Sequence, residues 1–275
     1  MSDRITTPLL SIPRLGLGTY LLTGAQGQAS VESALAMGYR ALDTAEMYGN
    51  EMEVGAGLHA SGLPREDVFV TSKVWWDHLS PGEIRQACET SLRKLGTDYL
   101  DLYLVHWPSA DMDLHRVMHD MTRLREEGLA RAIGVANFPP HLLKRAIETG
   151  APIAANQVEY HAQLSQDRLL DIARPNNIVL TAYSPLGRGA MTENPVIQAV
   201  AARHGTGAGQ VALAWLLRQD GVAAIPKASR PESQRANLEA LALADRLTEA
   251  DVAELDALPK NQRFVNPAFA PDWAA

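Results

Sequence analysis

The sequence predicts an α/β fold: a (β/α)₈ TIM barrel with an N-terminal β-hairpin and a short C-terminal tail. Short apolar runs rich in Val, Ile, Leu and Tyr alternate with amphipathic helical stretches, roughly every 20 to 45 residues. The length of 275 residues suits one such barrel or two small domains. No Pro/Gly/Ser-rich linker separates the alternating units, so we expect a single domain over residues 1–275.

The first predicted element is a β-hairpin in LLSIPRLGLGTYLLT, around Pro13 and Arg14, which would plug the bottom of the barrel. Apolar runs then predict seven strands. They cover residues 39–43, 68–73, 99–106, 130–137, 152–158, 178–184 and 222–227. An eighth run near Leu238 fits a helix equally well, so an open sheet is the alternative to a closed barrel.

Helix signals lie between these strands. Ser80, Pro81 and Glu83 have the pattern of an N-cap, a first-turn proline and a capping-box acid, and Gly96 ends the apolar stripe that follows them. A second stripe covers residues 114–124. Cys88 and Trp215 lie on apolar helix faces and are predicted to be core residues.

Composition excludes several classes of function. The net charge is −7 and no basic run occurs, which argues against a nucleic-acid partner or an anionic membrane surface. The sequence has no 18-residue apolar stretch, and its single cysteine cannot form a disulfide framework. The start MSDRITTPLL does not show the basic-then-apolar pattern of a secretory signal, so we expect none. We expect a cytoplasmic protein with a small-molecule substrate, and a monomer because no apolar heptad or large patch is evident.

Polar residues at the strand ends indicate the site, because catalytic groups of such barrels lie at the carboxyl ends of strands. These residues are Asp43, Lys73, His106, Asn137, Gln157, Ser184 after Tyr183, and Lys227. Any one of them has an ordinary explanation, since a chain that leaves the core often does so at a polar residue. All of these residues together indicate a catalytic site at this end of the barrel.

Four of these positions form a candidate catalytic group. Tyr48 lies in the loop after Asp43 and could meet Lys73 and His106. An ammonium beside the phenol should lower its pKa from about 10, and the acid should hold the lysine charged and in place. With the histidine orienting the receiving oxygen, Tyr48 would deliver a proton to a carbonyl. Hydride must then come from a cofactor, because no side chain transfers it.

The later loops suggest a dinucleotide site outside the Rossmann class. No G-x-G-x-x-G occurs, and LGLGTY supplies only two of its glycines. GVANF, NQVEY and AYSPLGRG offer amides for a carboxamide, an aromatic face for a flat ring, and Gly187 and Gly189 for close approach to a pyrophosphate. Lys227, Arg230 and Arg235 form the strongest local cation cluster and could bind a 2′-phosphate.

His115 and His119 have the i, i+4 spacing of a metal pair, but no third ligand is evident. We interpret them as a solvated helix face and predict no metal site. Trp75 and Trp76 lie just past Lys73 at its strand end, and we favour a pocket wall over loop packing for them.

Together these motifs resemble the aldo-keto reductase superfamily. GLGTY, ALDTAEMYGNE, VTSK, YLDLYLVHWP, IGVANF, NQVEYH, YSPLGRG and IPK occur in the family's order across essentially the whole chain. The sequence is most similar to the bacterial 2,5-diketogluconate reductase and methylglyoxal reductase group.

The resemblance implies NADPH-dependent reduction of an aldehyde or ketone, such as a keto-sugar acid, methylglyoxal or another small aldehyde. The catalytic residues would be Asp43, Tyr48, Lys73 and His106, with Tyr48 as general acid. The cofactor would contact Gly18, Thr19, Tyr20, Asp43, Asn137, Gln157, Tyr183, Ser184, Leu186, Gly187, Lys227, Ser229, Arg230 and Asn237. The substrate would contact Tyr48, Trp75, His106 and Trp107, and Phe264, Asn266 and Phe269 of the tail would close the pocket.

Three positions depart from the family pattern. Ala136 stands where a serine commonly helps to bind the carboxamide. Ala228 and Ser233 stand where many NADPH-preferring relatives carry serine and arginine. The 2′-phosphate would then rest on Lys227, Ser229 and Arg230, with Arg235 as a further candidate, and NADH is the alternative cofactor.

Two rival functions fit the same barrel. A Schiff-base aldolase would use Lys73 or Lys227 as its nucleophile. A non-catalytic, cofactor-binding regulatory subunit is the other rival, because fold alone does not fix function. Tyr48 and the NQVEY and YSPLGRG loops favour the reductase over the aldolase, which has no need of them.

Overall fold

The computed structural model describes residues 3–273, which contain ten strands and eleven α-helices. The strands are β1 Arg4–Thr6, β2 Ser11–Pro13, β3 Leu17–Gly18, β4 Ala41–Asp43, β5 Phe69–Val74, β6 Leu100–Val105, β7 Ala130–Ala136, β8 Ile153–Glu159, β9 Val179–Tyr183 and β10 Val222–Ala224. Strands β3 to β10 form one parallel sheet in which chain neighbours are also sheet neighbours. The predicted barrel is confirmed.

The helices follow the strands in the βα order that a parallel barrel requires. They are α1 Gly24–Met37, α2 Glu51–Ala60, α3 Glu83–Leu95, α4 Leu114–Glu126, α5 Pro140–Glu148, α6 Asp167–Ala173, α7 Ala190–Glu193, α8 Pro195–His204, α9 Ala208–Leu217, α10 Pro231–Ala244 and α11 Glu249–Asp256. Within residues 3–273, no helix is both long and apolar enough to cross a membrane.

The barrel closes between its last strand and β3. Parallel bridges join Leu15 to Ala224 and Gly18 to Lys227, and the Gly16 amide donates to the Ala224 carbonyl at 2.9 Å. A Cβ on Gly18 would lie 2.5 Å from the Ile225 carbonyl oxygen, so only glycine permits this approach. The open sheet is thereby excluded.

The closing strand differs from the one suggested by the sequence. The run near Leu238 belongs to helix α10, and the eighth strand is β3, at the other end of the chain. With two residues, β3 is too short to show an alternating pattern. The N-terminal hairpin is confirmed, but its turn lies at residues 7–10, and Pro13 pairs with Arg4 instead of forming the turn.

Two layers of apolar side chains make up the core. The larger lies between the barrel and its helices and contains the predicted core residues Cys88 and Trp215, which are 0% and 5% exposed. The smaller fills the barrel interior, and Leu10 and Ile12 of the hairpin seal its lower end. Because the interior is filled, the side chains that could act on a ligand are expected at the carboxyl end of the strands, where barrels of this kind carry their sites.

The predicted helix signals have mixed outcomes. Gly96 ends α3 with φ 66°, as expected, but the helix begins at Glu83 after a left-handed Gly82. The Ser80 amide still donates to the Glu83 carboxylate at 3.1 Å, so half of the capping box forms just ahead of the helix. His115 and His119 on α4 are exposed, which confirms the solvated face.

Candidate active site

The carboxyl end of the barrel brings the predicted catalytic residues together. Asp43 is the last residue of β4, Lys73 lies near the end of β5, and His106 directly follows β6. Tyr48 ends the short 3₁₀-helix Glu46–Tyr48, which is the loop that follows β4. Three consecutive βα units therefore supply the four side chains.

Asp43 and Lys73 form a buried ion pair. Nζ of the fully buried Lys73 lies 2.5 Å from Asp43 Oδ1 and donates to the Thr44 carbonyl at 2.8 Å. The other carboxylate oxygen, Oδ2, accepts from Gln157 Nε2 at 2.6 Å. Burial raises the pKa of Asp43 and lowers that of Lys73, while their mutual attraction opposes both shifts. Each charge is thus balanced by a partner and by hydrogen bonds.

Tyr48 lies next to this pair. Its hydroxyl oxygen is 3.4 Å from Lys73 Nζ, which also lies 4.9 Å from the ring centroid. Burial raises the pKa of Tyr48 well above its usual value near 10, and the charge of Asp43 raises it further. The predicted lowering of this pKa is wrong, because burial disfavours the phenolate more than the ammonium favours it, and Asp43 offsets the ammonium charge. The phenol therefore keeps its proton at neutral pH, as a proton donor must.

His106 completes the group as a neutral imidazole. The ring is buried and makes edge contacts with Tyr48 and Trp75, at centroid distances of 5.6 and 4.9 Å. Burial, followed by the charge of Lys73, lowers its pKa well below 6.5. Since a neutral imidazole carries one N–H, the ring can donate one hydrogen bond to an oxygen beside Tyr48.

The residues expected to bind a nicotinamide surround this centre. Asn137 accepts from the Tyr183 hydroxyl at 2.7 Å and donates to the His106 carbonyl at 2.9 Å. Gln157 uses one N–H to bond Asp43. The side-chain amides of Asn137 and Gln157 therefore each keep a further donor and a further acceptor site. The half-buried Tyr183 ring is fixed at its hydroxyl end. This donor set fits a flat ring that carries a carboxamide.

Other predicted cofactor residues line the same end of the barrel. Thr19 donates from its amide and its hydroxyl to the Asp43 carbonyl, both at 3.0 Å, and so links the GLGTY segment to the catalytic pair. Ser184 and Gly187 adopt positive φ values of 46° and 54° in the loop that also contains Leu186. A Cβ on Gly187 would lie 2.9 Å from the Phe264 ring, so this loop packs closely on the tail.

The predicted phosphate residues follow β10. Lys227 and Arg230 are exposed, Ser229 is half-buried, and Asn237 is buried on α10. The bridge between Gly18 and Lys227 sets this segment beside GLGTY. Three residues differ from the family pattern at this site. Ala136 and Ala228 are buried, and Ser233 is half-buried at the start of α10. The cations therefore lie where solvent and a phosphate can reach them.

Aromatic rings form a wall above His106, defined by Trp75, Trp76, Trp107, Phe269 and Trp273. Phe269 lies 5.4 to 5.6 Å from Trp75, Trp76 and Trp107, and Trp273 lies 6.1 Å from Trp107. Tyr20 lies on the other side, 5.0 Å from the Tyr48 ring and 47% exposed. Rings therefore flank the catalytic group on two sides at the barrel mouth, and the surface between them is called here the cleft.

Sequence reasoning missed three contributors to this site. Glu46 accepts a hydrogen bond from the Trp75 amide, and His78 Nδ1 lies 3.2 Å from its carboxylate. Trp273 adds a ring to the wall, and Glu159 holds the tail on which that ring lies. The signal for Glu159 was present in NQVEY, because an acid at the end of an apolar strand needs partners when it is buried.

Comparison with known proteins agrees with this geometry. The Aldo/keto reductase family model matches residues 14–260. Methylglyoxal reductase DkgB of Yersinia pestis is 39% identical over 269 residues, covering 96% of this chain and all of that protein. An aldo-keto reductase of Mycolicibacterium smegmatis is 38% identical over 267 residues, covering 96% of each chain.

Solved structures give the same result. A crystal structure provisionally described as a 2,5-diketo-D-gluconic acid reductase B superposes with a TM-score of 0.92 at 38% identity, covering 96% of this chain and 94% of the other. The aldose reductase from Schistosoma japonicum superposes with a TM-score of 0.89 at 30% identity, covering 95% of each. The chain belongs to the aldo/keto reductase family, oxidoreductases that act on carbonyl groups and generally use a nicotinamide cofactor.

Proposed function

We propose that this protein reduces aldehyde or ketone groups of small molecules to alcohols with NADPH, and that Tyr48 donates the proton. The observation that carries the proposal is the continuous contact from Asp43 through Lys73 to Tyr48, beside a neutral His106. We propose further that it acts as a single-domain, cytoplasmic monomer.

The cofactor would supply hydride to the carbonyl carbon, and this chain's residues would hold it. Asn137 and Gln157 would bind the carboxamide with their spare amide groups, and the Tyr183 ring would lie against the nicotinamide. Ser184, Leu186 and Gly187 would approach the pyrophosphate. Gly18, Thr19 and Tyr20 would border the site, and Asn237 would complete its adenosine side.

Proton delivery depends on the buried centre. The Tyr48 hydroxyl would donate to the carbonyl oxygen, and the imidazole N–H of His106 would fix that oxygen from a second side. As the proton leaves, negative charge grows on the phenol oxygen, 3.4 Å from the Lys73 ammonium. The attraction would be strong because Lys73 is buried, so the lysine would act mainly on the transition state.

Substrate and cofactor preferences rest on the relatives. The named activities of similar proteins are methylglyoxal reduction and 2,5-diketogluconate reduction, so methylglyoxal, keto-sugar acids and other small aldehydes are the proposed substrates. Trp75 and Trp107 would contact them. Lys227, Ser229 and Arg230 favour NADPH, while Ala228 and Ser233 make NADH the alternative.

The Schiff-base aldolase has weak support at this site. Lys73 is 0% exposed, and its ammonium is engaged by Asp43 and the Thr44 carbonyl, so it presents no free amine to a carbonyl. Lys227 is exposed and lies outside the buried catalytic group, whereas a Schiff-base lysine is usually desolvated in an apolar pocket.

A carbonyl panel assayed once with NADPH and once with NADH tests the proposal. We expect loss of reduced nicotinamide with methylglyoxal and with at least one aryl aldehyde, faster with NADPH. A substrate imine trapped by borohydride, with no nicotinamide oxidised, would favour the aldolase. Tight NADPH binding with no turnover on any carbonyl would favour the regulatory subunit.

A further inference from the structure

Residues 260–273, called here the C-terminal tail, cross the barrel mouth and carry two rings of the aromatic wall. The tail is bonded to the barrel at its start. Lys260 donates to the Ala162 carbonyl at 2.7 Å and accepts at its own carbonyl from the Ser165 amide at 3.0 Å. A bridge between Asn261 and Leu164, and the Gln262 amide that donates to the Gln163 carbonyl at 2.9 Å, extend this anchor to residue 262. The residues beyond 262 need another partner to direct them over the cleft.

A buried carboxylate provides that direction. Glu159, the last residue of β8, is 0% exposed and accepts from the Phe264 amide at 2.8 Å and from the Val265 amide at 3.0 Å, one on each oxygen. The Arg263 guanidinium lies 3.7 Å from Oε2, and His161 Nε2 lies 3.3 Å from Oε1. Three consecutive tail residues therefore converge on one acid.

The tail residues next to Glu159 also contact the aromatic wall. The Arg263 guanidinium stacks on the Trp273 ring at 3.7 Å, and Trp273 Nε1 donates to Asn266 Oδ1 at 2.9 Å. Trp273 in turn contacts Trp107, which Phe269 also contacts. A chain of contacts thus runs from Glu159 to the rings that border the cleft.

The charge on Glu159 makes these contacts strong. A buried carboxylate is costly unless donors satisfy both oxygens, and here backbone amides of the tail supply two of those donors. Release of the tail would leave this buried acid with His161 alone among the partners named above. The barrel therefore stabilises the tail in one position, although the last turns of the tail carry exposed rings such as Phe269.

We infer that Glu159 is a positioning residue for substrate size: by holding residues 263–265 it sets Phe269 and Trp273 in place, and so favours carbonyl compounds with a large apolar or aromatic group. A three-carbon substrate bound at Tyr48 and His106 is too small to need the tail. This inference rests on the proposed carbonyl reductase function.

The test compares Glu159→Gln with the parent on a para-substituted benzaldehyde and on methylglyoxal. Loss of the charged acceptor in Glu159→Gln should raise KM for the benzaldehyde about tenfold. The other constants should stay within about twofold of the parent's values: kcat for both substrates, KM for methylglyoxal and the affinity for NADPH. Phe269→Ala should raise the same KM, and the double variant should add nothing further, because both changes remove one contact chain.

Trypsin gives a second readout that needs no activity. Cleavage after Arg263 should be slow in the parent and at least about fivefold faster in Glu159→Gln, followed as release of residues 264–275 by mass spectrometry. Asp101→Asn is the matched control, since Asp101 is a buried acid that accepts from the Val70 amide near the opposite end of the barrel. It should leave cleavage and both KM values unchanged.

The results distinguish a failure of the proposed carbonyl reductase function from a failure of the proposed role of Glu159. If the parent reduces neither carbonyl, the proposed function fails, and the trypsin result alone decides whether Glu159 holds the tail. If the parent is active, unchanged cleavage and unchanged benzaldehyde KM in Glu159→Gln overturn the inference, as does an additive double variant. If Glu159→Gln does not fold, Arg263→Met replaces it in the test. We then expect KM for the benzaldehyde to rise about threefold, and an unchanged KM would contradict the inference.

Discussion

The ammonium of Lys73 lies 2.5 Å from a carboxylate oxygen of Asp43 in a site where both side chains are buried. This pair does not acidify the neighbouring phenol in the resting protein, because burial of the phenol outweighs the ammonium and Asp43 offsets the ammonium charge. Its value for catalysis lies in what happens when a proton leaves Tyr48 and a third charge appears beside it.

Removal of one partner should therefore harm both stability and activity. Lys73→Met leaves Asp43 charged and buried without its cation, and we expect the free energy of unfolding to fall by about 3 to 5 kcal/mol. Carbonyl reduction should fall by at least about a hundredfold. Urea unfolding and kcat/KM measure the two effects.

The double variant Asp43→Leu with Lys73→Met separates the effect on stability from the effect on activity. With both charges replaced by apolar groups, stability should recover most of its loss while activity stays low. Recovery of activity along with stability would show that the pair has only a structural role.

The pH dependence of catalysis follows from the two shifted groups. Tyr48 must be protonated to donate, and its raised pKa keeps it so to above pH 10. His106 must stay neutral, and its lowered pKa keeps it so to below pH 6.5. We expect kcat/KM for reduction to be flat between these limits, and an inflection near neutral pH would contradict the assignment.

The same histidine should make stability depend on acid. In the unfolded chain His106 binds a proton near pH 6.5, but in the folded protein it binds one only at lower pH. Stability from this group is complete above pH 6.5 and decreases as pH falls below it, because the unfolded state gains the proton first. The free energy of unfolding of His106→Gln should fall less between pH 7 and pH 5 than that of the parent.

The Glu46 carboxylate should hold the substrate wall. It accepts from the Trp75 amide, and Glu46→Ala should raise KM for aldehydes about fivefold while NADPH affinity stays constant. Glu46→Gln keeps an acceptor oxygen and is the matched control, expected within about twofold of the parent. Equal losses in both variants would mean that charge, and not the hydrogen bond, matters.

Cofactor preference should respond to the segment after β10. Lys227→Met should weaken NADPH binding about tenfold and NADH binding hardly at all, because only NADPH carries the 2′-phosphate. Ser233→Arg should have the opposite effect on NADPH. Fluorescence quenching by each nucleotide measures the affinities, and equal changes for both nucleotides would place the phosphate elsewhere.

The sequence predicted the barrel because its strands are mostly five to seven residues long, apolar and bounded by polar ends. Strand β3 escaped prediction because two residues cannot show a period. The pKa of Tyr48 was predicted in the wrong direction because it depends on how far burial outweighs a nearby charge, which spacing does not reveal. The partners of Glu159 lie 105 and 106 residues away, and only the fold joins them.

The most direct measurement is the pair of constants kcat and NADPH affinity for Tyr48→Phe, which removes one hydroxyl and keeps the ring. We predict that kcat for methylglyoxal or an aryl aldehyde falls by about a thousandfold or more, while the dissociation constant for NADPH changes by less than about twofold. A variant that keeps the parent's kcat would contradict the claim that Tyr48 delivers the proton.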